Sequence, residues 1–280
     1  HKSSAVEWPL VWTPLILIAI DRVVERRAEP GAWRRGAFLA LALALSASAG
    51  NPPGFFYALL GAVAYGAFRV LPVGVAALRT RSFARETIGV AKSIGVALVV
   101  SAALLAVMFI PASEATELSV RGTRAAGYPF ATALPVGPTL RALLAPPAGQ
   151  LDAYFGVLAL ALAILAVVLP RAGSPPGHDR GAPVFLFAAG AFFLLLAFGR
   201  ALPVLPFLVE RVPGFALFRE PNRYKCLAVM FAAATAAYGL DAFLLQRRKW
   251  FVPAGVFAAL AAGVGLLKAF ATPSPGALER

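Results

Sequence analysis

Long apolar runs recur along the whole chain, and they limit its fold more than any other feature. Runs that approach the thickness of a bilayer with almost no charge are typical of transmembrane helices. We therefore predict an all-α fold, a polytopic transmembrane helix bundle of about eight spans that forms a single transmembrane domain over residues 1–280. The predicted spans are Trp8–Val24, Gly36–Ala49, Gly54–Val70, Ser93–Ile110, Tyr154–Leu169, Val184–Gly199, Cys226–Leu245 and Phe251–Phe270.

The composition agrees with a membrane location. Charged residues make up 14% of the chain, whereas soluble domains carry about 25%. The net charge of +13 would favour nucleic acid as the partner of a soluble protein. Here the basic residues lie mostly in short segments between apolar runs, so we predict membrane lipid as a partner and no nucleic acid. A divalent metal stays open as a cofactor, but the sequence shows no ligand cluster, with one cysteine and two histidines.

The distribution of lysine and arginine predicts the orientation. Cytoplasmic loops of membrane proteins are enriched in these residues. With the N-terminus outside, the inner segments hold fifteen basic residues and the longer outer segments hold ten. The inner segments are then 21–35, 69–92, 171–182 and 246–250, and the two long outer loops are 112–153 and 200–225.

The second outer loop carries five basic residues on the face where they are normally sparse. Two of them, Arg219 and Arg223, flank Pro221, which is predicted to begin the next helix. The free N–H groups of that helix start and two guanidinium groups would together form a phosphate-binding site. Two alternatives stay open, namely contact with lipid headgroups and internal pairing with Glu210 or Glu220.

Three further residues are secondary candidates for ligand binding. Arg121 and Arg124 lie in the first outer loop, where pairing with nearby glutamates is the alternative. Asn51 lies in the tight turn before the third span, where a helix-capping role is the alternative. No ionisable residue falls near the centre of a predicted span, which argues against an ion-coupled transporter.

Several short motifs occur in an order that resembles the YfhO-like bacterial membrane proteins. They are Trp12-Thr-Pro14, Gly50-Asn-Pro-Pro53 with Phe55-Phe-Tyr57, Ser119-Val-Arg121, Tyr154-Phe-Gly156, Phe218-Arg-Glu-Pro-Asn-Arg223 and Tyr238-Gly-Leu-Asp241. One departure is clear, because the family's turn usually reads Gly-His-Pro-Gln where this chain has Gly50-Asn-Pro-Pro53. If the family's His and Gln contact the donor, donor recognition here is altered.

The resemblance implies a GT-C-type fold and the activity of a membrane glycosyltransferase of the cell envelope. Such enzymes use a polyprenyl-phosphate-linked sugar donor on the outer face of the bacterial cytoplasmic membrane. Arg219, Arg223 and Lys225 would bind the donor phosphate. The catalytic carboxylate of this superfamily usually follows the first helix, so we expect it upstream of His1 in a longer chain and assign none here. The alternatives are a transporter or flippase for lipid-linked saccharides and a noncatalytic membrane assembly subunit.

Overall fold

A computed structural model describes residues 4–79, 81–117, 132–144, 155–168, 181–212, 215 and 220–245, with short pieces between 255 and 263. Every regular element in these ranges is a helix, which confirms the all-α prediction. The chain divides into two compact units, His1–Tyr128 and Pro129–Arg280, and each is described by itself.

Among the described residues of the first unit, five helices follow one another along short connections. They are α1 (Ser4–Val11), α2 (Thr13–Glu25), α3 (Ala32–Ser48), α4 (Pro52–Arg79) and α5 (Arg81–Glu117).

The first predicted span, Trp8–Val24, is divided between α1 and α2. Pro14 sits in the first turn of α2, where its missing N–H is tolerated. The hydroxyl of Ser46, on α3, donates to the carbonyl oxygen of Pro9 at 2.9 Å. A polar side chain from a neighbouring helix therefore satisfies a buried backbone carbonyl beside the break.

Small residues allow α3 and α5 to pack closely. A Cβ added at Gly36 would overlap the carbonyl oxygen of Ser93 and would lie 2.7 Å from the Cβ of Val96. The Ser93 hydroxyl, which is buried, donates to the carbonyl oxygen of Ala32 at 3.0 Å. Close backbone approach and a hydrogen bond between helices are the usual means of helix association in membranes.

The prediction that residues 69–92 form an inner loop is wrong, because the two flanking helices extend into this segment. Helix α4 runs to Arg79 and α5 begins at Arg81. The apolar runs show only the uncharged part of each helix. The helices themselves are longer, because long arginine side chains are tolerated at helix ends near a membrane surface. Helix α5 has 37 residues and contains Pro111 near its C-terminal end, so it is about 55 Å long.

The second unit is built around α10, which packs against α7 and α8. A Cβ at Gly239 on α10 would overlap the carbonyl oxygen of Leu162 on α7. The rings of Phe193 on α8 and Phe231 on α10 are stacked with centroids 5.6 Å apart. The helices of this unit are α6 (Val136–Leu144), α7 (Val157–Val168), α8 (Ala182–Ala197), α9 (Val204–Arg211) and α10 (Tyr224–Leu245).

Among the residues that the structure describes, three helical segments are long and apolar enough to cross a membrane, which indicates a membrane protein. They are Pro52–Ala76 in α4, Glu86–Val107 in α5, and Pro221–Leu244, which includes α10. Two shorter apolar helices, α7 and α8, accompany them. The eight-span bundle, its orientation and its single-domain organisation stay predictions.

Candidate functional site

Residues of both predicted outer loops meet at the start of α10, within the second unit. The hydroxyl of Thr132, in the first loop, donates to Oδ1 of Asn222, in the second loop, at 3.1 Å. Next to it, the N–H of Leu134 donates to the carbonyl oxygen of Ala197 at 2.9 Å. The first loop is therefore attached both to the end of α8 and to the turn that begins α10.

Gly199 makes this convergence sterically feasible. Its φ of 58° lies in the left-handed region that favours glycine. A Cβ at this position would lie 2.6 Å from the Cβ of Ala133 and 3.6 Å from Cγ of Pro221. A larger residue at Gly199 would push the first loop away from the start of α10.

Pro221 begins a 3-10 turn, Pro221–Arg223, that leads directly into α10, as the sequence predicts. Pro221 is buried, and the ring of Tyr224 at the first position of α10 stacks on Phe215 with centroids 6.4 Å apart. Phe215, in the second loop, therefore packs on the helix start. The N–H of Arg223 donates to the carbonyl oxygen of Glu220, and the N–H of Tyr224 donates to that of Pro221, so the 3-10 turn already satisfies these N–H groups.

Arg223, one of the predicted phosphate-binding residues, is paired with an acidic neighbour. Its Nε donates to the carboxylate of Glu220, and the two side chains are 18% and 25% exposed. This is the internal pairing that the sequence left open as an alternative. Lys225, on the first turn of α10, is half-buried.

The structure brings together some of the predicted site residues but does not describe all of them. Arg223 and Lys225 lie within three residues of each other at the start of α10. Arg219, Arg121 and Arg124 lie outside the described residues.

Asn51 belongs to the first unit and acts as the N-cap of α4. Its Oδ1 accepts a hydrogen bond from the N–H of Gly54 at 3.0 Å, and its own carbonyl oxygen accepts from the N–H of Phe55. The geometry is that of a capping residue.

Removal of the Asn51 cap is expected to cause a modest and local loss of stability. Asn51→Ala is expected to lower the free energy of unfolding by about 1 kcal/mol, because the N–H of Gly54 loses its acceptor. Asn51→Asp is expected to retain most of the stability, since a carboxylate also caps. Unfolding by titration with sodium dodecyl sulfate in mixed micelles would measure both. Equal losses in the two variants would contradict the cap.

A polar network between α2 and α4 was missed by the sequence reasoning. Asp21 accepts hydrogen bonds from the Tyr65 hydroxyl at 2.8 and 2.9 Å. It also lies 2.8 Å from Nε of Arg69, whose Nη2 is 3.3 Å from Glu25. The signal was present in the sequence, since Asp21 and Glu25 are four apart and so are Tyr65 and Arg69, which places each pair on one helix face.

No group of three or more His, Cys, Asp or Glu side chains that could hold a metal ion occurs among the described residues. The chain matches no family model, no curated protein and no solved structure. The YfhO-like resemblance therefore stays a hypothesis carried by the motifs themselves.

Proposed function

We propose that this chain is part of a membrane glycosyltransferase that uses a polyprenyl-phosphate-linked sugar donor at the outer face of the bacterial cytoplasmic membrane. The proposal rests on one observation above others. The motif Phe218–Arg223, which resembles the YfhO-like proteins, leads into a proline-initiated helix start, and the first long loop is hydrogen-bonded to it through Thr132 and Asn222.

The proposed chemistry needs cations at the phosphate of the donor. As the sugar is transferred, the polyprenyl phosphate leaves with increased negative charge, and preorganised donors stabilise that charge. In the proposed site, Arg223 and Lys225 act on this phosphate, together with Arg219. A carboxylate that orients or deprotonates the acceptor hydroxyl completes the reaction.

A lipid-linked donor also needs an apolar surface close to the phosphate site. In the second unit, Phe207 on α9 is 59% exposed and Leu140 on α6 is 48% exposed. On α8, Phe192 is 42% exposed, whereas its neighbour Phe193 is buried in helix packing. Exposed rings and aliphatic chains on short amphipathic helices suit contact with acyl or prenyl chains.

The second candidate function is a noncatalytic membrane assembly subunit. The Glu220–Arg223 ion pair favours it, because a guanidinium already satisfied by a carboxylate has less to offer a ligand. The two candidates differ in what the ion pair is for. In the enzyme the carboxylate of Glu220 engages only Nε of Arg223 and leaves the other N–H groups for the donor, and in the subunit the pair only holds the turn.

Arg223→Ala is expected to weaken donor binding and to lower kcat/KM by about ten- to a hundredfold, since a charge-assisted hydrogen bond is lost. Arg223→Lys should recover part of the loss, because charge is restored without the planar fork. The measurement compares binding of polyprenyl phosphate with binding of the uncharged polyprenol by the purified full-length protein. Arg211→Ala is the matched control, since Arg211 is an exposed arginine of the same loop.

The substitution Glu220→Gln distinguishes between the two candidate functions, because they predict different effects on phosphate binding. In the glycosyltransferase it should keep or strengthen phosphate binding, because the guanidinium is released from its carboxylate. In the assembly subunit, Glu220→Gln and Arg223→Ala should lower thermal stability alike, and polyprenyl phosphate should bind no better than polyprenol. That second pattern would end the glycosyltransferase proposal.

A further inference from the structure

Three exposed arginines and an exposed tryptophan lie together where α2 ends and α3 begins. The guanidinium carbon of Arg22 lies 4.9 Å from the centroid of the Phe38 ring on α3. Arg34 precedes Phe38 by four residues and lies on the same helix face, with its guanidinium 5.2 Å from the ring of Trp33. Arg26 follows Arg22 by four residues and ends α2. We call Arg22, Arg26, Arg34 and Trp33 the arginine patch.

Three acidic residues near the patch are paired with other arginines, whereas the exposed Glu29 forms no ion pair among the described residues. Glu86 lies 2.7 Å from Nε of Arg27. Asp21 and Glu25 both pair with Arg69. Within the part of the chain that the structure describes, no carboxylate forms an ion pair with an arginine of the patch. The patch therefore carries three guanidinium groups that have no ion-pair partner among the described residues.

An exposed apolar stripe continues from the patch along both helices. Ile18 lies one helical turn before Arg22 on α2 and is 48% exposed. Leu41 lies three residues after Phe38 on α3 and is 51% exposed. Phe38, whose ring lies under the Arg22 guanidinium, stands between Arg34 and Leu41 along α3. The order along α3 is a cationic end, then an aromatic ring, then an aliphatic side chain. Trp33, which is 61% exposed, lies beside Arg34 at the charged end, and tryptophan is enriched at membrane interfaces.

We propose that the arginine patch is a binding site for an anionic phospholipid, with its phosphate on Arg22, Arg26 and Arg34 and its acyl chains along Ile18 and Leu41. Guanidinium groups stacked on aromatic rings are held in place and keep their N–H donors directed outward, which suits a phosphate. A soluble acidic partner would use the charges but would leave the apolar stripe in contact with lipid. The distribution of charge and apolar surface is complementary to a lipid along its whole length.

The test is binding of phosphatidylglycerol and phosphatidylcholine with identical acyl chains to the full-length protein in neutral detergent, followed by native mass spectrometry. The unaltered protein is expected to prefer phosphatidylglycerol. The triple variant Arg22→Gln, Arg26→Gln, Arg34→Gln should bind it about a hundredfold more weakly, and each single variant about fivefold more weakly. Binding of phosphatidylcholine should stay within about twofold in all of them.

Two controls test whether the effect on lipid binding is specific to the charge of the arginine patch. Arg211→Gln removes an exposed arginine that also lies over an aromatic ring, in the second unit, and should leave the preference unchanged. Glu29→Gln removes an exposed acidic side chain from the turn that follows α2 and should strengthen phosphatidylglycerol binding. If the triple variant does not fold, as judged by gel filtration, the single variants carry the test.

Three outcomes would overturn the proposal. The first is equal binding of the two lipids by the unaltered protein, and the second is a preference for phosphatidylglycerol that survives in the variants. The third is displacement of phosphatidylglycerol by millimolar inorganic phosphate, which would make the patch a site for free anions. None of them bears on the glycosyltransferase proposal, which concerns the second unit.

Discussion

Gly239→Ala is expected to lower the free energy of unfolding by about 3 kcal/mol, near the upper end for overpacked sites. The added Cβ would overlap the carbonyl oxygen of Leu162, a backbone atom that cannot rotate away. Relief requires α10 to move off α7, which would separate the pair Leu165 and Ala242, both buried in this interface. Titration with sodium dodecyl sulfate in mixed micelles would measure the loss.

Gly95→Ala is the matched control for this prediction. Gly95 is an exposed glycine inside α5, and a Cβ added there meets no atom within 4 Å. The substitution should therefore raise the free energy of unfolding by about 0.5 to 1 kcal/mol, because glycine is a poor helix former. If the two alanine variants behave alike, close contact at Gly239 does not hold α7 and α10 together.

Arg69→Met is expected to cost about 3 kcal/mol of stability in the first unit, since the loss of one partner leaves charges without compensation. Asp21 lies half-buried between α2 and α4 and would keep only its hydrogen bonds from Tyr65. Glu25 contributes less, because its side chain is 63% exposed and water can solvate it.

A double variant tests the mechanism of that loss. Arg69→Met with Asp21→Asn should be more stable than Arg69→Met alone, because no unpaired carboxylate then remains and the amide oxygen still accepts from Tyr65. Lys92→Met removes an exposed cation of α5 and should change the stability by less than about 0.5 kcal/mol. Additive effects of the two substitutions would show that Asp21 and Arg69 do not interact energetically.

The sequence predicted best those features that depend on a short stretch of neighbouring residues. Apolar length located the membrane-crossing parts of α4, α5 and α10. Turn chemistry located the cap at Asn51 and the helix start at Pro221, because both depend on neighbouring residues only.

The sequence was least informative about contacts between distant residues and about helix ends. The pair Thr132 and Asn222 is separated by 90 residues, and no periodic pattern encodes it. The helices α6 and α9 are short and carry little apolar length, so they were included in predicted loops. Asp21 and Arg69 fall in segments that were predicted to be inner loops because those segments are rich in basic residues. A loop has no helical periodicity, so the four-residue spacing of Asp21 from Glu25 and of Tyr65 from Arg69 did not lead to a prediction of contact.

The position of Pro111 in α5 has a mechanical consequence. A proline has no N–H, so the carbonyl of Val107, four residues earlier, lacks its helical hydrogen bond. Val107 is also the last residue of the apolar segment of α5 that is long enough to cross a membrane. The final turns of α5, up to Glu117, can bend at this joint with little loss of hydrogen bonding. A displacement of the last turns of α5 would therefore be taken up at this joint, away from the close packing of α5 against α3 at Ser93.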